Sequence, residues 1–487
     1  MKDNLIFSVL ILPLLSSVCA FVIKKPQILR NIILISISGV VPYLIYLLFA
    51  LSKEQEFLMN FSSSLSLRFI VEPIGMIFLG IVGLLWFFSL LYSIGYFSVN
   101  RDEKQTIFFG FFSLSIFCTI GVALSANLFT LFIFYELLTF VTYPLVVHNR
   151  SEKAQQVGKN YILYLLGTST LLLLPALVIL HDYNPDLIFN KDQFFLSFSS
   201  KSIMYVIIVF LIYGFAKTAI FPVHGWLPQA MIAPTPVSAM LHAVTVVKAG
   251  VFCLIKVFTY VFGLEIIADT LGKIILNDNF LTCLAAVSVI FASLKATKQK
   301  NLKHLLAYST IAQLSTCLLA LSILTPSGVV ASILHVVGHA FAKITLFFAV
   351  GIIYLLYGKT NIDECKLLYK HDRLLCILFS IAGLSLIGVP PFFGFWSKYY
   401  IITHAWQNNN WLVIITVLIS TMLTATYIIP IFYNFYWADE KSNFERKKIS
   451  VRNLTYLYIP MIFTSIICIL GMVFIPMIIN FVEKGLH

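Results

Sequence analysis

The sequence predicts an all-α polytopic membrane protein of about fourteen transmembrane helices, with two inverted five-helix repeats and two broken helices. Three observations predict it. Hydrophobic residues make up 60% of the 487-residue chain and charged residues only 11%, with a mean hydropathy of +0.93. A soluble chain of this size carries roughly a quarter charged residues, so the solvent for most of this one is lipid. Apolar runs of membrane-spanning length recur from end to end, and basic residues collect in alternate connections between them.

The runs centre on residues 4–23, 31–51, 70–97, 107–125, 127–147, 160–180, 202–222, 236–262, 279–295, 302–324, 327–357, 374–395, 411–437 and 453–481. Those starting at 70 and 327 are long for one span and are expected to tilt or to be irregular. The first run is followed by Lys24 and Lys25 without a small-residue cleavage site, so it reads as a first helix and not as a removed signal. Connections after odd-numbered spans hold 21 Lys and Arg residues, those after even-numbered spans 5. By the positive-inside rule the odd connections are cytoplasmic, and both termini lie on the outer, periplasmic side of a cell inner membrane. The formal net charge of +12 therefore reports topology, not nucleic-acid binding. The eight cysteines are scattered through apolar runs without a CxxC pair. They read as small core residues, and neither a metal site nor a cofactor is expected.

Five basic residues remain inside apolar runs: Lys217, Lys248, Lys256, Lys343 and Lys398. Among the acids, Glu136 lies deep in LFIFYELLTFVTYPL, and Glu72 in RFIVEPIGM stands where a span begins. A charge at the centre of a membrane helix costs about 2.5–3.5 kcal/mol on insertion scales, and such residues mark ion paths and proton relays. Burial disfavours the ammonium form of lysine and a nearby carboxylate favours it, so moving the carboxylate loads or releases a proton. Lys256 is close to the end of its span and is expected to snorkel to the interface. Glu136 with Lys217 also admits a purely structural ion pair.

His335 and His339 are four residues apart in HVVGHAFAKITLFF, and Lys343 follows after four more, so three titratable groups share one helix face. Haem or metal ligation by the two histidines is the competing reading. It is weakened by the lysine beside them and by the lack of a carboxylate to orient the rings. His242, six residues before Lys248 in MLHAVTVVKAG, is either a further relay group or a hydrogen-bonded core histidine.

Two stretches interrupt their helices. FPVHGWLPQAMIAPTPVS carries Pro222, Pro228, Pro234 and Pro236, and GVPPFFGFWSK carries Pro390 and Pro391. Proline removes a backbone donor, so in lipid such segments must be covered by protein or line a wet cavity. Lys217 precedes the first break and Lys398 follows the second. Spans four to eight and nine to thirteen then form two five-helix units, inverted because five is odd. The organisation reads as residues 1–106 (three N-terminal helices), 107–262 (first repeat), 279–437 (second repeat) and 453–481 (last helix).

Four segments carry a resemblance: YELLTFVTYPLV, GFAKTAIFPVHGWLPQAMIAPTPVSAMLHAVTVVKAGVF, HVVGHAFAKITLFFAVG and GVPPFFGFWSK. Over most of its length the chain resembles the antiporter-like membrane subunits shared by complex I (L, M and N types) and the Mrp multisubunit cation/proton antiporters. The resemblance implies fourteen helices with two inverted repeats. It also implies that Glu136 pairs with Lys217 and controls its protonation, and that Lys248 passes the proton to a central line of His335, His339 and Lys343. Lys398 is then the exit-side group. The chain stops soon after its last span, which is similar to the D-type Mrp subunits, as is the YELLTFVTYPLV segment. The pairing of His242 with Lys248 looks like the A-type pattern.

The reading is a D-like, proton/cation-translocating membrane subunit of a multisubunit Na+ or K+/H+ antiporter. The alternative is a proton-pumping membrane subunit of NADH:quinone oxidoreductase. The chain has no GxGxxG after a strand and no GxxxxGK[ST], so redox catalysis, if coupled, belongs to partner subunits. The expected partners are other membrane subunits, protons and Na+ or K+, and the lipid bilayer. A stand-alone permease fits less well, because the interior is rich in lysine and poor in acids.

Overall fold

The computed structural model describes residues 3–51, 56–60, 65–183, 188–189, 200–275, 278–438 and 445–486. Lys53, Lys191 and Lys441, counted in the charge alternation, lie outside them. Helices α1 (Asp3–Val22) and α2 (Gln27–Ala50) are followed by an antiparallel pair, β1 (Glu56–Asn60) and β2 (Ser66–Ile70), with Glu56 opposite Ile70. Three uninterrupted helices come next: α3 (Pro73–Asn100), α4 (Gln105–Leu124) and α5 (Leu128–Val146). The sixth crossing is α6 (Glu152–Thr168), a π-helical turn (Ser169–Leu173) and α7 (Leu174–Tyr183). The seventh starts with α8 (Lys201–Gly214), passes through a 3-10 turn (Ala216–Thr218), and recovers as the short α9 (Trp226–Gln229).

The eighth crossing is α10 (Thr235–Ala243) and α11 (Val246–Val257), ending in a second π-helical turn (Phe258–Phe262); the short α12 (Leu264–Leu271) follows. After α13 (Phe280–Thr297), α14 (Leu302–Leu321) and α15 (Pro326–Tyr357), the twelfth crossing is split into α16 (Arg373–Ile387) and α17 (Phe393–Gln407). The chain ends with α18 (Trp411–Tyr436), α19 (Val451–Leu470), a 3-10 turn and α20 (Ile475–Leu486). Among the described residues, twelve helical stretches are long and apolar enough to cross a membrane, and α8 and α16 are shorter apolar helices. This is a multi-pass, all-α membrane protein.

Polar residues at the helix starts explain where many crossings begin. The side chains of Asn127, Ser151, Asn279, Asn301, Thr325, Asp372 and Ser450 each accept a backbone N–H of the first turn. Burial then separates lipid-facing from central helices. The stretch 152–183 is only 28% buried, and Leu163 and Leu171 are each 72% exposed. By contrast, the 18-residue apolar window of 235–262 is fully buried and that of 326–357 is 94% buried. The last of these, α15, packs against α3, α10, α14, α16, α17 and α19. It is the axis of the molecule.

Three features differ from the sequence reading. The β-hairpin was not expected, because the residues between the apolar runs ending at 51 and starting at 70 read as a plain connection; Pro73 at the first turn of α3 marks the start of the helix. The twelfth crossing runs to Gln407 instead of residue 395, because a second half-helix, α17, follows the break at Pro390 and Pro391. A further break separates α10 from α11 at Val244 and Thr245, where both amides donate to the Met240 carbonyl.

On the face that carries the basic connections, a polar latch joins three helix ends. The His148 ring, buried between Phe97 and Phe108, contacts Asp102 Oδ2 at 2.8 Å, and Asp102 Oδ1 accepts the Lys104 amide at 2.7 Å. The hydrogen bond from His148, helped by the Lys104 amide and opposed by burial, holds the Asp102 carboxyl below its ordinary value. A depressed carboxyl contributes stability above its unfolded value and loses it as pH falls through the native one. Asp102→Asn is therefore expected to lower the melting temperature at neutral pH. The gap to wild type should close as the pH falls below the ordinary carboxyl value, as followed by thermal unfolding in detergent across a pH series.

Candidate functional site

The helix breaks and π turns are where the chemistry collects. Lys217 stands in the 3-10 turn after α8 and is fully buried. Its Nζ donates to the Tyr135 carbonyl at 2.7 Å and lies 3.2 Å from the centroid of the Tyr135 ring; its own amide donates to Tyr135 Oη at 3.2 Å. Glu136, the next residue on α5, is half-buried and has its Oε1 without a hydrogen-bond partner among the described residues. It acts on Lys217 through space and also feels the Ser169 hydroxyl of the π turn. The direct ion pair implied by the resemblance is thus not formed in this structure. Successive residues of a helix point about 100° apart, and the ammonium is held on the Tyr135 side.

Lys248 is fully buried on α11, and its Nζ lies 2.5 Å from His339 Nδ1 on α15. An ammonium has no lone pair, so this contact requires the imidazole or the amine to be neutral: the two nitrogens share one proton. His339 Nε2 has no partner among the described residues. One turn away, His335 stacks with His339 at 6.4 Å between ring centroids. His335 Nδ1 is 2.9 Å from Ser397 Oγ and its Nε2 is 3.0 Å from Gln313 Oε1. Gly338 lets α17 come this close, because a Cβ there would stand 2.3 Å from the Phe393 ring.

The Ser397 hydroxyl also reaches the Gly394 carbonyl at 3.0 Å. With neutral His335 the hydroxyl proton can point to Nδ1. When the ring gains a proton, Nδ1–H donates to Oγ and the hydroxyl turns to Gly394. Both charge states therefore keep the contact between His335 and Ser397, and a small rotor replaces any larger motion.

The line continues on both sides. Lys343 Nζ donates to Ser309 Oγ at 2.8 Å and to the Leu306 carbonyl at 3.1 Å. Ser309 meets Tyr427 Oη at 2.9 Å, and Tyr427 also lies within reach of Gln313, which closes the circuit to His335. Lys398 Nζ donates to the Ile387 carbonyl at 2.7 Å, the Leu386 carbonyl at 3.3 Å and Thr421 Oγ1 at 3.2 Å. His242 is buried with neither nitrogen partnered among the described residues, 5.1 Å from the Phe347 ring and in electrostatic reach of Lys343 and Lys303.

One expectation is overturned. Lys256 does not snorkel: it is fully buried, because the segment that holds Phe189 and the start of α3 cover the end of its helix, and its Nζ is 2.5 Å from Glu72 Oε1. Sequence reasoning also missed Lys303, assigned to a loop. Its Nζ donates to the Met231 and Ala233 carbonyls at 2.9 and 2.5 Å, beside a cavity of about 260 Å³ lined by Tyr96, Asn100, Thr235, Tyr354 and Lys359. The connectors Ser309, Gln313 and Ser397 were missed as well. Ser309 and Gln313 are four apart in YSTIAQLST, a spacing that puts two polar groups on one face of an apolar helix and is the signal to look for.

Fold and site together define a multi-pass membrane subunit whose interior is wired with lysine, histidine and hydroxyl groups. Residues 125–424 match the family described as NADH:quinone oxidoreductase/Mrp antiporter, transmembrane. The chain belongs to that family, and is an antiporter-like or complex I-like membrane subunit. It is 30% identical over 455 residues to the chloroplastic NAD(P)H-quinone oxidoreductase subunit 5 of Chara vulgaris, covering 88% of this chain and 65% of that protein. It is 30% identical over 444 residues to the putative antiporter subunit mnhA2 of Staphylococcus haemolyticus, covering 85% of this chain and 52% of that one. The chain thus spans between half and two thirds of these relatives. Its fold is similar to a chain of the membrane-bound sulfane sulfur reductase, an archaeal respiratory membrane complex, with a TM-score of 0.86, 24% identity, and coverage of 99% of this chain and 97% of that one.

The rotor at His335 is open to test. A hydrogen bond to a charged group contributes about 1.5–3 kcal/mol, so Ser397→Ala is expected to slow proton movement across vesicle membranes by about tenfold or more. Ser397→Thr, which keeps the hydroxyl, should restore most of the rate, as read from a pH-sensitive dye at matched protein levels.

Proposed function

We propose that the chain is the D-like, proton/cation-translocating membrane subunit of a multisubunit Na+ or K+/H+ antiporter. The observation that carries this reading is the shared-proton contact between Lys248 and His339, which ties the first half of the chain to the central helix α15. Glu136 sets the charge on Lys217, Lys248 hands the proton to His339, and His335, Lys343 and Lys398 carry it through the second half. Glu72 and His242 stand as further candidates. In this reading residues 107–262 and 279–437 are the two inverted units. The basic connections face the cytoplasm and both termini face the periplasm, and other membrane subunits complete the complex. The antiporter names among the relatives and the YELLTFVTYPLV segment support it.

A second reading has its own support in the quinone oxidoreductase names among the relatives. The same path would then be driven by electron transfer in partner subunits. Purification of the complex separates the two: an antiporter dissipates a pH gradient on addition of Na+ or K+ and shows no NADH oxidation.

The relay itself is tested by Glu136→Ala and Lys217→Ala. Each is expected to reduce cation-dependent proton movement in everted vesicles to background while the protein still inserts and assembles. Full activity in either variant would sink the relay.

A further inference from the structure

Lys256 is the one intramembrane lysine that the relay leaves unused. Its ammonium is fully buried, 2.5 Å from Glu72 Oε1, and it donates to the Ala123 carbonyl at 3.3 Å and to the Ser125 carbonyl. The rings of Phe189 and Phe252 flank it at 5.0 and 5.6 Å. Glu72 is 12% exposed and immediately precedes α3, on the membrane face that carries the β-hairpin. The approach of α3 to α4, whose last carbonyls hold Lys256, is built in: a Cβ on Gly75 would stand 2.7 Å from the Ala123 carbonyl. Among the described residues, this is the one ion pair formed inside the membrane-spanning region. Buried pairs stabilise poorly against apolar replacements of the same size, and intramembrane charges usually serve transport.

The pair has neighbours on both sides. Towards the relay, Cys253, one turn before Lys256, interacts with both Lys217 and Lys256. Towards the hairpin face, Glu72 interacts with Tyr260, which also reaches the Ile74 backbone, and the Thr259 hydroxyl has no hydrogen-bond partner among the described residues. Both belong to the π turn Phe258–Phe262, a geometry common at functional sites. The groups facing Lys256 are thus Glu72 from the start of α3, Cys253 on its own helix and the carbonyls that end α4. Cys118 on α4 faces Lys217 instead.

We propose that Glu72 and Lys256 form a proton station joining Lys217 to the hairpin face, so that the first half of the chain has its own exit besides Lys398. The step is a tautomerisation. An N–H bond of the Lys256 ammonium breaks as an O–H bond forms on Glu72, the neutral pair releases that proton to water at the exposed edge of the carboxyl, and Lys256 is recharged from Lys217. The Cys253 thiol, within electrostatic reach of both lysines, is the group that stands between them. The proposal rests on reading the chain as a proton-moving subunit.

Lys256→Arg tests it. Arginine keeps the positive charge and the pairing with Glu72 but does not give up a proton in proteins. The variant is expected to assemble as wild type and to move protons at least tenfold more slowly in everted vesicles. A structural ion pair predicts the wild-type rate. Glu72→Gln/Lys256→Met, neutral and of similar volume, guards against a misfit of the larger side chain. It should also assemble and be slow, whereas wild-type rates in either variant overturn the station. The drive is scored on wild type alone. Protons moved by NADH oxidation and not by Na+ or K+ would overturn the antiporter reading and leave the station standing. A wild-type complex inert under both drives would overturn both.

Discussion

Backbone carbonyls inside a membrane protein cannot turn to water, and most of the architecture here follows from how they are satisfied. Where a helix ends or breaks in the interior, a lysine ammonium docks on the exposed carbonyls. Lys398 does so at the end of α16, Lys256 at the end of α4, and Lys303 on the segment after α9. Lys217 and Lys343 use the second lone pair of carbonyls within intact helices, Tyr135 and Leu306. The negative end of a helix dipole adds to the attraction at the first three. A lysine chain is long enough to reach these sites and carries three donors, which a shorter polar residue does not offer. The same contacts that make the breaks tolerable therefore also place the charges.

Lys248 is the exception. Among the described residues it takes no carbonyl and has only the imidazole of His339. Carbonyl anchors hold the ammonium form, whereas an imidazole nitrogen is a second place for the proton to rest. In the proposed relay the anchored lysines are storage points and Lys248 is the point of exchange. Electrostatics adds direction to this arrangement. Two unit charges at the 6.4 Å separation of the His335 and His339 rings repel by about 2.6 kcal/mol at an effective dielectric of about 20, a factor of about 80 in occupancy. Neighbouring stations therefore avoid simultaneous charge, and a proton that arrives at one displaces the proton at the next.

The spans and the two proline breaks were legible because each is written in residue types with one dominant physical meaning. Lysine in an apolar run and a doubled proline leave few alternatives. Lys256 was misread because its distance to the span end was counted along the helix, while the cover over that end comes from residues remote in sequence. The break at Val244 and Thr245 contains neither proline nor glycine, so nothing local announces it. Ser309, Gln313 and Ser397 stayed hidden for a different reason. Hydroxyls in membrane helices usually bond the carbonyl one turn back, as Thr310 does to Leu306. Only the packing of α14, α15 and α17 reveals which of them reach across.

In the proposed relay, the contact between Lys248 and His339 also keeps the two halves of the chain from loading independently. Lys248 stands on α11 and His339 on α15, and their nitrogens are too close for both groups to be cationic. A proton pushed onto Lys248 from the Lys217 side must either be absorbed by a neutral His339 or wait until His339 has passed its own proton to His335. In the proposed relay the Ser397 rotor eases that second transfer, since His335 keeps its contact with Ser397 in both charge states. In the proposed relay, traffic through the centre is then set by how fast Lys343 and Lys398 clear the far side. A proton that finds the centre occupied would stay on Lys217, next to Glu136 and within electrostatic reach of Cys253. On that reading the wiring around Lys217 decides what happens when the second half is slow.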